Sequence, residues 1–248
     1  MMKYVKLATL AVAMCSASVY AQQQCQANAQ VLKANYIQQQ GAQEEQLFSL
    51  WRLHDQVAHQ ANSQGVVELW QRLSNQQVRP IRYFEHYQRG IEYQPGELKE
   101  GGQPVSWSQK YQLVHSDLLS QSPSRTQGEG CGQEQHFERQ QNGYKVTLVW
   151  LPALQLVKQL VVAREDADHQ DRWQQISRLA LQSYQLNPQQ VQQQFAHWDR
   201  YQTTDYADVG DNEHDPFLAK MINQGFIEHG ASGFYHSDGQ AMSGGHHH

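Results

Sequence analysis

The residues best suited to chemistry lie towards the C-terminus. Asp205, Asp208, Asp211, Glu213, His214 and Asp215 place five carboxylates and one imidazole in eleven residues. Hard oxygen ligands at this density suit Ca²⁺ or another divalent cation. The spacing departs from an EF-hand loop, where ligands alternate ahead of a glycine and a late glutamate. The same stretch also reads as a solvated acidic loop. Asp215-Pro216 is a helix start, and negative charge is favoured at a helix N-terminus. Both readings stay open: a divalent-metal site or an acidic cap.

Histidine is the second candidate ligand, with 13 in the chain. His229, His236 and the terminal His246, His247 and His248 gather at the end, and imidazole binds Zn²⁺, Cu²⁺ and Ni²⁺. The last three follow Ser243-Gly244-Gly245 and read as a flexible metal scavenger or an appended run, so they carry no fold argument. His54 and His59 stand five apart on an expected helix, roughly 140° around its axis, and so cannot share a ligand. His54 falls in an apolar stripe and reads as a core histidine. Glu85 and His86 fall on opposite faces of an aromatic strand. His115 and Asp117 diverge on a helix, and His197 and Asp199 do the same. The sequence has no G-x-S-x-G, Walker loop, G-x-G-x-x-G or H-E-x-x-H. No catalytic residue is therefore assigned, and the reading leans away from an enzyme.

Cysteine points to a compartment. Met1 to Ala21 has a basic start at Lys3 and Lys6, an apolar run from Leu7 to Val19, and small residues at Val19 and Ala21, the pattern of a secretory signal. Its removal takes Cys15 away and leaves Cys25 and Cys131. An even pair in an exported chain favours a disulfide. Closing a loop of about 106 residues is worth roughly 4 to 5 kcal/mol in the chain-entropy account. Neither cysteine sits in a C-x-x-C, as a redox or metal pair would.

The elements that must position these groups read as follows. Residues 22–75 form an N-terminal helical segment. Good helix formers dominate there, and Leu47, Leu50, Trp51, His54, Val57 and Ala58 recur at helical spacing. Val66 to Leu73 reads as a short helix or strand, with helix favoured because Val66, Leu69, Trp70 and Leu73 fall on one side. Residues 76–230 form an α+β domain. Aromatic strands around Val78–Tyr87 and Ile91–Tyr93 lead into a helix over Val105–Leu119. Asn142-Gly143 is a type I′ hairpin signal between His136–Arg139 and Tyr144–Trp150. Leu154–Arg164 and Trp173–Leu181 extend it to a meander. Asn187-Pro188 and Asp215-Pro216 start two C-terminal helices. Residues 231–248 form a Gly/Ser/His-rich tail. The expected fold class is thus α+β: a central antiparallel sheet of four to six strands, a long N-terminal helical segment and C-terminal helices.

Composition narrows the function classes. The chain has 248 residues and a formal charge of −5, with 42 glutamines, and only 17% of residues are charged. Loss of Lys3 and Lys6 would take the charge to −7. Hydrophilicity comes from amides, so the basic surface of a nucleic-acid binder is missing. No stretch after the leader is long and apolar enough to span a bilayer. Six Trp and twelve Tyr supply a core and candidate groove linings. The order of helix, aromatic strands and meander resembles the half-barrel sheets of periplasmic lipoprotein carriers and sigma-regulator sensors, a likeness of architecture. Two functional expectations result. One is an exported, periplasmic accessory or binding protein that holds an apolar, lipid-like or peptide-like ligand, or an envelope protein, on a sheet face or groove, with no cofactor. The other is a divalent-metal-binding protein or metal-dependent enzyme built on Asp205 to Asp215.

Overall fold

A computed structural model describes residues 25, 27–100, 102–166, 172–212 and 214–226. The signal over residues 1–21 and the tail over 231–248 lie outside the described residues. The chain is mainly β. The first run of strands is β1 (Val31–Gln40), β2 (Gln46–Leu53), β3 (Gln56–Ala61), β4 (Val66–Arg72), β5 (Val78–Phe84) and β6 (Arg89–Glu92). A small ribbon of β7 (Lys99–Glu100) and β8 (Gln103–Pro104) precedes two short helices, α1 (Trp107–Gln112) and α2 (Ser116–Leu119). The second run is β9 (Arg125–Gln127), β10 (Glu134–Gln141), β11 (Tyr144–Leu151), β12 (Leu156–Glu165) and β13 (Trp173–Gln185). Helix α3 (Pro188–Trp198), β14 (Gln202–Asp205) and α4 (Pro216–Asn223) complete the order.

Twelve strands form one sheet in the order β14-β6-β5-β4-β3-β2-β1-β13-β12-β11-β10-β9. Two antiparallel meanders therefore meet at a β1–β13 seam, where Ile37 faces Ala180. Among the described strands, only β14 runs parallel to its neighbour, β6.

This overturns the α+β expectation and its long N-terminal helix. The residues read as helix, from Val31 to Arg72, are β1 to β4. The physical reason lies in burial. Phe48, Ser49, Leu50, Trp51 and Arg52 are buried in succession, as are Val57, Ala58 and His59. A strand covered on both faces loses its two-residue alternation, so its apolar positions match a helical stripe equally well. Pairing with neighbouring strands then outweighs the helix propensity of Gln, Leu and Ala. The expected helix over Val105–Leu119 breaks into α1 and α2 at Leu113, whose φ is 61°. The second run agrees with the sequence reading. Asn142 and Gly143 both take positive φ, 53° and 75°, and join β10 to β11 with Gln141 opposite Tyr144. Pro188 and Pro216 start helices whose first amides are accepted by Asn187 and Asp215 side chains.

The first meander is covered on both faces. Leu32, Leu50, Val57 and Trp70 meet Tyr111, Val114 and Leu118 of the α1–α2 segment. The alternate residues Val31, Trp51, Ala58 and Leu69 meet Val191, Phe195 and Trp198 of α3. Helix α4 packs Phe217, Leu218 and Met221 against Val66, Phe84 and Ile91 near the β6 edge. Among the described residues, no helix is long and apolar enough to cross a membrane.

Candidate functional site: a polar cleft at the sheet rim

Two hairpin turns, the end of β4 and the start of α1 converge at one rim of the sheet. The turn His54-Asp55 joins β2 to β3, and Pro152 to Gln155 joins β11 to β12. His54 and Gln155 adopt left-handed φ of 54° and 52° without being glycine. Such conformations carry a modest cost, offset by surrounding contacts. For His54, one such contact is its N–H, which donates to the Gln30 carbonyl at 2.9 Å.

Between these turns opens a cleft of about 610 Å³ lined by Gln30, His54, Asp55, Arg72, Trp107, Ser108, Tyr111, Gln112 and Gln155. Arg72 is fixed rather than free. Its Nε and Nη2 donate to one Asp55 oxygen at 3.0 and 2.5 Å, and its guanidinium stands 5.0 Å from the Trp107 ring centre. Trp107 and Tyr111 lie 5.6 Å apart, one turn along α1. The lining thus combines amide donors and acceptors, an oriented cation and two aromatic walls.

The floor is held by Arg52, which is fully buried. Its guanidinium donates to four carbonyls: Tyr111 at 3.0 Å, Ala29 at 3.2 Å, Leu154 at 3.0 Å and Gln155 at 2.7 Å. It also stacks 4.0 Å from the Tyr111 ring centre. Burial lowers its pKa to about 10. Five N–H groups in a planar fork can satisfy carbonyls from three chain segments at once, which Lys cannot. Arg52 therefore ties the N-terminal segment, α1 and the β11–β12 turn into one rim. The sequence carried a usable signal for it, a lone charge inside the apolar run Leu50-Trp51-Arg52-Leu53.

A second buried polar group lies on the same face. His59 Nε2 donates to the Lys110 carbonyl at 2.8 Å, and its ring packs on Trp70 and Phe48. Burial, then the neighbouring Lys110 ammonium, holds its pKa well below the usual imidazole value. Lys110 is itself buried, pairs with Glu100 and lies 4.4 Å over Trp70. Arg82 pairs with Glu68 at 2.6 Å. His59, and not His54, is thus the core histidine; His54 is exposed at the turn.

Several of the sequence-nominated ligands make local hydrogen bonds. Asp205 accepts from the Ala207 amide at 3.0 Å and from Gln94 Nε2 at 2.9 Å, and these bonds lower its pKa. The Asp208 carbonyl accepts from Asn212. Asp215 accepts from the Phe217 amide at 2.8 Å and from Arg89 at 2.9 Å. The Arg89 bond is the first cause of its lowered pKa. His214 is exposed. Glu213 and the Asp211 side chain lie outside the described residues, as do His229, His236, His246, His247 and His248. Among the described residues, no three of His, Cys, Asp and Glu gather as a metal-ligand set. His115 and Asp117, read as divergent, in fact meet at 3.2 Å, because His115 caps α2 instead of lying within it.

Cys25 and Cys131 form the disulfide, with Cα atoms 4.7 Å apart. It anchors the chain just before Gln30 to the segment leading into β10. A bond of this kind suits an oxidising, extracytoplasmic space.

No protein-family profile and no curated protein matches the sequence. Solved structures give distant likenesses. PNGF-II in its P21 crystal form aligns over 71% of this chain and 31% of its own, at 11% identity and TM-score 0.35. Its C2 form gives 70%, 30%, 12% and 0.34. A chain of the Pseudomonas aeruginosa MucA/MucB complex aligns over 64% of this chain and 54% of its own, at 13% identity and TM-score 0.33. The chain thus spans about a third to a half of the lengths it aligns with. At these scores no residue role transfers.

Proposed function

We propose that the protein is an exported, periplasmic accessory protein that holds a peptide-like partner in the rim cleft. The observation that carries this reading is the cleft lining. Gln30, Gln112 and Gln155 each offer both a donor and an acceptor, the pair of functions that a peptide backbone also presents. Trp107 and Tyr111 can cover an apolar side chain, with the Tyr111 hydroxyl already held by the Ala29 carbonyl at 3.1 Å. Arg72, fixed by Asp55, forfeits little freedom on contact, and preorganisation of this kind favours affinity. The sheet faces of the first meander are less suited, since helices already occupy both. Export is supported by the disulfide and by the leader-like N-terminus.

The test is native mass spectrometry of the full chain produced by export. A co-purified peptide is expected, and Trp107→Ala should release most of it without changing the circular dichroism. Protein that carries no peptide, or that retains it fully after Trp107→Ala and Arg72→Ala, would refute the assignment.

A further inference from the structure

The two ends of the sheet are finished differently. At one end β14 runs alongside β6 over its whole length, from Gln202 against Arg89 to Asp205 against Glu92. At the other end β9 has three residues and pairs with β10 only at Glu134, Gln135 and His136. β10 continues for five more residues, to Gln141.

Main-chain direction along this stretch follows from the ladder. The His136 carbonyl accepts from the Ser124 amide at 2.8 Å, so His136 faces outward. Antiparallel pairing alternates, so Glu138 and Gln140 also direct N–H and C=O outward, whereas Phe137, Arg139 and Gln141 turn theirs towards β11. The outward groups of Glu138 and Gln140 meet no strand among the described residues. They form a template of two residues on which an extended segment can pair.

Side chains at this edge select the occupant. Glu138 is neutralised by Lys145 at 3.0 Å on one face. On the other face Arg139, beside buried Phe137, bonds Gln141 and has no carboxylate partner among the described residues. A second copy of this chain is a poor match. Antiparallel neighbours share a face, so two-fold pairing centred on residue 138 or 139 would set Glu138 against Glu138 or Arg139 against Arg139, and centring on Gln140 would push Glu138 against Asn142, outside the strand. Like charges directly opposite destabilise a pair. We infer that the outer edge of β10 from Glu138 to Gln140 is a docking strand for an extended polypeptide that presents a carboxylate opposite Arg139, at a place separate from the rim cleft.

The probe is a Thr-Val-Thr-Glu-Thr-Val-Thr heptapeptide added to the full chain, read by amide exchange and fluorescence anisotropy. Slowed exchange at the Glu138 and Gln140 amides is expected. A central Lys in the peptide should weaken binding about fivefold, and Arg139→Glu should reverse that preference. Gln140→Pro removes an outward N–H and should abolish binding. Should that variant misfold, a peptide N-methylated on alternate amides does the same from the partner's side. Protection must survive Trp107→Ala, which removes one wall of the rim cleft. Protection lost with Trp107→Ala, equal binding by the methylated peptide, or a β10-paired dimer by sedimentation would each overturn the inference.

Discussion

The two meanders bury charge in opposite ways. The β1–β6 half carries Arg52, His59 and Arg82 inside its layers and is closed by α3 on one face and the α1–α2 segment on the other. The β10–β13 half fills its interior with Phe137, Leu148, Trp150, Leu156, Val157 and Leu179. Its ion pairs, Lys145 with Glu138 and Lys158 with Glu134, sit at the surface. The contrast shows where a polar group can govern the fold. A buried cation must be matched by acceptors or it is costly, whereas a solvated pair is nearly dispensable.

The sharpest way to break the contrast is Arg52→Met. It takes the donor from the carbonyls of Tyr111, Leu154 and Gln155, while Ala29 keeps the Tyr111 hydroxyl, at about 1 to 3 kcal/mol for each one that stays dry. A loss of at least about 3 kcal/mol is expected from urea titration. Arg52→Lys should recover only part of it, because an ammonium cannot reach them all. A loss under about 1 kcal/mol would mean that water replaces the guanidinium easily and the rim is not tied by it.

His59 gives the next effect, through pH. Its folded pKa is lowered by burial, so the unfolded chain binds a proton that the folded chain refuses. Stability is then complete above the unfolded value near 6.5 and declines as pH falls below it, by up to about 1.4 kcal/mol per pH unit. His59→Gln should flatten the stability profile between pH 6.5 and 5. An unchanged slope in that window would assign the acid sensitivity to other groups.

The smallest effect belongs to the second meander. Glu134 accepts from Lys158 and Gln127, and the Lys158 bond is the leading cause of its lowered pKa. Both partners of the ion pair touch solvent, so Lys158→Ala should cost at most about 1 kcal/mol, and less in high salt. A larger loss would erase the distinction between the halves.

Legibility in the sequence followed the same division. Asn142-Gly143, Asn187-Pro188, Asp215-Pro216 and the cysteine pair are local or compositional signals, and each corresponds to a feature of the structure. Strands β1 to β4 were masked because burial on both faces erases alternation. The rim cleft was illegible for a different reason. Gln30, His54, Arg72, Trp107 and Gln155 come from five separated stretches, and no spacing rule joins them. The acidic loop drew attention through density alone, yet Asp205 and Asp215 spend their oxygens on turn and helix amides and on Gln94 and Arg89.

The seam between β1 and β13 sets the order of assembly. Each half can zip through neighbouring hairpins, but Ile37 must wait for Ala180, about 140 residues further on. An exported chain that emerges N-terminus first leaves an interval between the arrival of these two strands. During it the border of the earliest strand lies bare, so a chaperone that shields nascent chains would find its natural client surface there, before the later half arrives.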